Sequence, residues 1–84
     1  MGKNDSDKFD RDPGTILYSW DPRGGKRVII SRSKSYGRRF HIRTWMLNSK
    51  GAYYPTRAGI TLGIVELKKL RRALKKIAKK FEGS

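Results

Sequence analysis

Between Arg38 and Leu47 the chain alternates strictly, and this pattern limits its folding more than any other feature. Arg38, Phe40, Ile42, Thr44 and Met46 fall on one side of an extended backbone, and Arg39, His41, Arg43, Trp45 and Leu47 on the other. From about Ile64 the period changes: Leu67, Leu70, Leu74, Ile77 and Phe81 recur at spacings of 3, 4, 3 and 4, which is one helix with a narrow apolar seam. A strand with one basic, aromatic face and a helix with a single apolar stripe must cover each other's apolar sides.

Turn chemistry divides the rest. Thr15 to Trp20 is β-branched and aromatic and runs into Asp21-Pro22-Arg23-Gly24-Gly25, a first strand and its hairpin loop. Lys26 to about Lys34 is the second strand, with Val28 and Ile30 on one side and Ile29 and Ser31 on the other; Tyr36-Gly37 ends it. After the third strand, Asn48-Ser49-Lys50-Gly51 is a turn joining antiparallel strands, and Ala52 to Tyr54 is a short fourth strand that Pro55 limits or holds at an edge. Gly63 suits the helix N-cap, Glu66 its first turn and Lys79 and Lys80 its last, with Gly83 as its stop. The expected fold class is α+β: a twisted four-stranded antiparallel sheet followed by one C-terminal amphipathic helix (ββββα). Residues 1–14 read as a flexible charged tail and 15–84 as one domain. With 84 residues the core is thin, so a homodimer is expected, with Leu67, Leu70, Leu74, Ile77 and Phe81 at its interface.

Charge narrows the partner. The formal net charge is +14, and no acid lies between Asp21 and Glu66, while Arg23, Lys26, Arg27, Arg32, Lys34, Arg38, Arg39, Arg43, Lys50 and Arg57 all fall in that interval. Ten unopposed cations repel one another unless a polyanion relieves them, which makes a nucleic acid the expected partner. The competing reading is a well-solvated surface. No cysteine is present, so disulfides and Cys-ligated zinc are excluded and an intracellular setting is expected: the nucleus in a eukaryote, the nucleoid or cytoplasm otherwise. The N-terminus has no apolar signal core, and no run of about 18 apolar residues predicts a membrane span.

The stretch from the second strand to the helix resembles the DNA-binding domain of the transcriptional coactivator positive cofactor four family. The matching residues are R-V-I-I-S-R from Arg27, F-H-I-R-T-W-M from Phe40, the turn N-S-K-G, and above all Pro55-Thr56-Arg57-Ala58-Gly59-Ile60-Thr61-Leu62, similar to the family's P-G-R-K-G-I-S-L before its helix. The resemblance covers about residues 15–80. It implies a single-stranded DNA-binding dimer with a concave sheet groove, a link to the transcription machinery, and a phosphate contact at Arg57. Ala58 stands where the family tends to have Lys, and Trp45 lies one place before the position of the family's Trp.

Single strands are held by cations along the backbone and aromatic rings beneath the bases. Arg39, Arg43 and Trp45 share a strand face and form the expected base-contacting patch, with Trp45 alternatively a core residue on the helix side. Arg27, Arg32, Lys34 and Arg38 are also expected to contact the nucleic acid, Arg57 to meet phosphate, Tyr36 to stand where the resemblance has an aromatic packing on a base, and Tyr54, rather than Tyr53, to face the groove. The helix's Lys68, Lys69, Arg71, Arg72, Lys75, Lys76, Lys79 and Lys80 form either a solvated face or a second nucleic-acid surface. No catalytic or metal site is expected and no cofactor: residues 22–65 hold one His and no Asp, Glu or Cys, and Gly24-Gly25-Lys26 lacks the first glycine of a phosphate loop. Two rival readings remain: a structural RNA-binding or chromatin-type protein for duplex, and a membrane or partner-helix module built on residues 64–81.

Overall fold

The computed structural model describes residues 8–34 and 39–82. Five strands form one curled mixed sheet in the order β1-β5-β4-β3-β2: β1 is Lys8–Phe9, β2 Thr15–Trp20, β3 Lys26–Arg32, β4 Phe40–Leu47 and β5 Ala52–Leu62. The helix α1, Ile64–Glu82, follows directly.

The two expected turns within the described residues form where their turn residues stand, and the one expected at Tyr36-Gly37 lies outside them. Gly24 and Gly25 both take positive φ, 62° and 72°, a conformation open to glycine at no steric cost, and they reverse the chain between β2 and β3. Gly25 also accepts the Leu47 N–H at 2.8 Å, tying this loop to the end of β4. In the β4–β5 turn the Asn48 side-chain oxygen accepts from the Lys50 and Ala52 backbone N–H groups at 2.8 and 3.0 Å, so the side chain imitates a backbone turn. At the helix start Gly63 N–H donates to the Glu66 carboxylate, the half of a capping box that a glycine N-cap can form, and Gly63 C=O accepts the first intrahelical bond from Leu67 N–H.

Two elements differ from expectation. Lys8–Phe9 is a fifth strand, parallel to β5 through Lys8↔Ala52 and Phe9↔Tyr53, so the folded chain reaches back before residue 15. The fourth strand of the sequence reading, β5, does not stop at Pro55 but runs eleven residues to Leu62. It passes through the proline because β1 covers it only at Ala52 and Tyr53, which leaves an outer edge where a missing N–H costs no ladder bond. It also carries a bulge: Arg43 pairs with Gly59 and Trp45 with Pro55, so Thr44 faces more than one residue of β5.

The bulge is held by the Thr56 hydroxyl, which donates to Thr44 C=O at 2.7 Å, and by the Ala58 N–H, which reaches Thr56 Oγ1 at 3.1 Å. A Cβ at Gly59 would lie 2.6 Å from the Ile42 carbonyl oxygen and 2.9 Å from Arg43 Cα, so β4 and β5 come together there only because the side chain is absent.

The core also lies on the unexpected face. Alternation assigned Phe40, Ile42, Thr44 and Met46 to the interior, yet the buried hydrophobic residues are Ile29, Trp45 and Tyr53, at 1, 5 and 8% exposure, on the other side. Phe9 causes this: carried in by β1, it packs edge-on against Trp45 at 5.5 Å and tilted against Tyr53 at 6.1 Å. The helix crosses the opposite, helix-side face and buries none of its own residues. Between them lies an open, mainly apolar cleft of about 410 Å3 lined by Ile30, Ile42, Leu67, Leu70 and Leu74, with Lys68 and Arg71 at its border.

Candidate nucleic-acid interface

The face opposite the helix carries Arg27, Ile29 and Ser31 from β3 beside Trp45, Arg43 and His41 from β4, because these pairs stand directly across in register. Residues 11–13 run over it. Arg11, Asp12 and Pro13 close one side of a cleft of about 190 Å3 whose other walls are Ser31, His41, Arg43, Trp45 and Pro55. An adjoining cleft continues past His41 to Ser33 and Lys34 along Asp12, Pro13 and Gly14. Together they make one shallow groove between the N-terminal arm and the sheet.

Its basic side chains are oriented by specific bonds. Arg43 is half-buried and donates from Nη1 to Thr56 C=O at 2.7 Å, so the β5 bulge holds the guanidinium at the groove wall. His41 Nδ1 lies 2.9 Å from Thr61 Oγ1. Lys34 meets Asp12 at 3.4 Å. The Gly14 N–H on Asp12, reinforced by Lys34, holds this carboxyl below its ordinary range.

Arg27 stands at the far end, its guanidinium 4.4 Å from the Tyr53 ring centroid and its Nε donating to Asp21 at 2.6 Å. The same hydrogen bond lowers the Asp21 carboxyl.

The expected site residues are therefore divided. Arg43 and Lys34 line the groove, and Arg39 is exposed where the chain enters β4. Arg27 shares the face but is engaged with Asp21 and Tyr53. Trp45 lines the groove yet is 5% exposed beneath Phe9, and it packs away from the helix rather than against it. Tyr54 stands opposite Met46 on the helix-side face, so of the two tyrosines it is Tyr53 that shares the face of Arg43. Arg32, opposite Phe40, is likewise on the helix-side face. Arg57 is exposed within the bulge. Tyr36 and Arg38 lie outside the described residues.

Of the expected interface residues, Leu67, Leu70 and Leu74 line the helix cleft, while Ile77 and Phe81 are 52 and 66% exposed. Tyr18 and Trp20 pack together at 5.9 Å and are exposed on the same sheet face.

Sequence reasoning passed over Arg11 and Asp12, which it assigned to a tail, and left His41 without a binding role. The alternation of β4 does put His41 beside Arg43; nothing local signals that Arg11 folds back onto the sheet. Among the described residues no three His, Cys, Asp or Glu side chains cluster as metal ligands, and no helix is long and apolar enough to cross a membrane. No family model, curated protein or solved structure matches the chain.

Proposed function

We propose that this chain binds single-stranded DNA, largely without sequence preference, along the groove between its N-terminal arm and the sheet, and acts as a transcription cofactor or accessory factor in DNA transactions. The observation that carries this reading is the line of basic groups Arg43, His41 and Lys34 along one groove, in a chain of net charge +14. A flexible single strand can follow such a curled surface and place successive phosphates at successive side chains. The resemblance of residues 55–62 to the positive cofactor four motif supports it too, because that segment forms the bulge that holds Arg43 and exposes Arg57.

Phe9 and a nucleobase compete for the same surface of Trp45 and Tyr53. Phosphate contacts at Arg43, Lys34 and Arg57 come first, and stacking on Trp45 follows when the arm leaves. The active form is a homodimer joined through the helix seam and the apolar sheet face beneath it, a reading supported by the exposure of the large apolar side chains Tyr18, Trp20, Ile60, Leu74, Ile77 and Phe81.

Fluorescence anisotropy with a 20-nucleotide single strand, its duplex and an RNA hairpin tests the reading. At about 150 mM salt the single strand binds most tightly, and log K falls against log salt with a slope near −3 to −4, as for about four to six neutralised phosphates. A preference for hairpin or duplex at that salt would instead make this a structural RNA-binding or chromatin-type protein.

A further inference from the structure

The outer face of α1 has no role in the sheet groove, and its composition is not that of an ordinary solvated helix. On a helix turning about 100° per residue, Lys68, Lys69, Arg71, Arg72, Lys75, Lys76, Lys79 and Lys80 occupy an arc of about 180°, centred opposite the seam of Leu67, Leu70, Leu74, Ile77 and Phe81. All eight are exposed, and among the described residues none is held in an ion pair. Of the helix's acids, Glu66 lies outside the arc and Glu82 enters it only at the last residue of the helix, so no carboxylate stands between Lys68 and Lys80.

A face that only needed solubility would mix signs. Here Lys68–Arg72, Arg71–Lys75, Arg72–Lys76, Lys75–Lys79 and Lys76–Lys80 are all like-charged pairs four residues apart, each of which weakens the helix. The repulsion disappears against a rigid row of negative charges. From Lys68 to Lys80 the cations extend about 18 Å along the axis, and a duplex presents one phosphate charge about every 1.7 Å over that length.

We propose that this helix face is a second nucleic-acid site, which takes the phosphate backbone of a duplex flanking the single strand. A lipid surface fits less well. Interfacial helices bury an apolar face in the membrane, whereas here Leu67, Leu70 and Leu74 face the cleft against Ile30 and Ile42, with Lys68 and Arg71 at its border, and the other six cations fall on the far side of the helix. Engaged along a phosphate row, these Lys and Arg side chains read charge and spacing rather than base sequence.

The test compares three DNAs at 50 mM salt: a single-stranded tail, the same tail joined to a 16-base-pair duplex, and the blunt duplex. The full chain binds the tailed duplex about tenfold more tightly than the tail alone. The variant Arg72→Gln, Lys76→Gln, Lys79→Gln loses that gain, and its blunt-duplex salt slope is shallower by about 2.7, at 0.9 per phosphate released. Its affinity for the tail stays within twofold of the parent, and circular dichroism confirms an intact helix.

Arg43→Ala does the reverse, weakening the tail and sparing the blunt duplex. If the groove reading fails and the tail does not bind, loss of blunt-duplex affinity in the triple variant still supports the helix site. The proposal is overturned if the triple variant keeps the tenfold gain or the parental slope, if it weakens tail and duplex equally, or if phosphatidylserine vesicles hold the full chain against excess duplex.

Discussion

Phe9 meets Trp45 edge to face, with ring centroids 5.5 Å apart and planes at 83°. Through this contact a residue of the N-terminal arm completes a core whose buried hydrophobic members are Ile29, Trp45 and Tyr53. Truncating Phe9 to Ala removes the cover from two aromatic rings and costs about 2–3 kcal/mol. Urea unfolding followed by circular dichroism detects this as a lower midpoint; an unchanged midpoint would show that the arm is not part of the stable fold.

Arg43 and Trp45 are two residues apart on β4 but answer differently to truncation. Trp45→Ala empties the largest member of a thin core, at about 3–5 kcal/mol, and leaves little folded protein at room temperature. Arg43→Ala forfeits the bond to Thr56 C=O, worth about 1–3 kcal/mol, keeps the sheet, and lowers single-strand affinity. Thermal melts beside anisotropy separate the two. A stable Trp45→Ala protein with impaired binding would show that Trp45 serves base stacking alone and is not needed by the core.

Gly59→Ala places a methyl group 2.6 Å from the Ile42 carbonyl oxygen, and backbone on a paired strand cannot retreat cheaply. A loss of about 2 kcal/mol or more is expected, together with weaker binding because the bulge also holds Arg43. Gly63→Ser meets open space at the helix N-cap and gains a few tenths of a kcal/mol. Melting temperatures that move together in both variants would contradict the close approach at Gly59.

Asp12 and Asp21 govern the response to acid. The Gly14 N–H and Lys34 lower the first carboxyl and Arg27 the second, so both have folded-state pKa values below the unfolded value near 3.9. Their contribution is present above that pH and is lost as pH falls through the folded values. Both groups are exposed, so the effect is small. The thermal midpoint falls between pH 5 and pH 2, and falls less in the Asp12→Asn, Asp21→Asn variant; identical slopes would show that neither pair forms in solution.

The strands β2 to β4, the hairpins between them and the helix are legible in the sequence because each rests on local chemistry. Gly24-Gly25 supplies the φ values of one turn, Asn48 closes another with its own side chain, and the seam of Leu67 to Phe81 repeats at helical spacing. Strand β1 is illegible for the opposite reason: two residues of Lys and Phe carry no periodicity, and they become a strand only because the edge of β5 is available at Ala52 and Tyr53. Pro55 reads as a strand end until that edge is seen to lie free beyond Tyr53.

By itself the sequence determined which residues share a strand face, where the chain turns, where the helix begins and that the molecule is strongly cationic, since these follow from side-chain period, φ preference and composition. Tertiary structure alone decided which sheet face became the core. Both faces of β4 offer apolar side chains, and the choice fell to Trp45 because Phe9 arrives from more than thirty residues away in the chain to cover it, while the helix leaves Ile42 beside an open cleft. Long-range burial of that kind depends on which distant segment reaches the surface, and no local pattern records it.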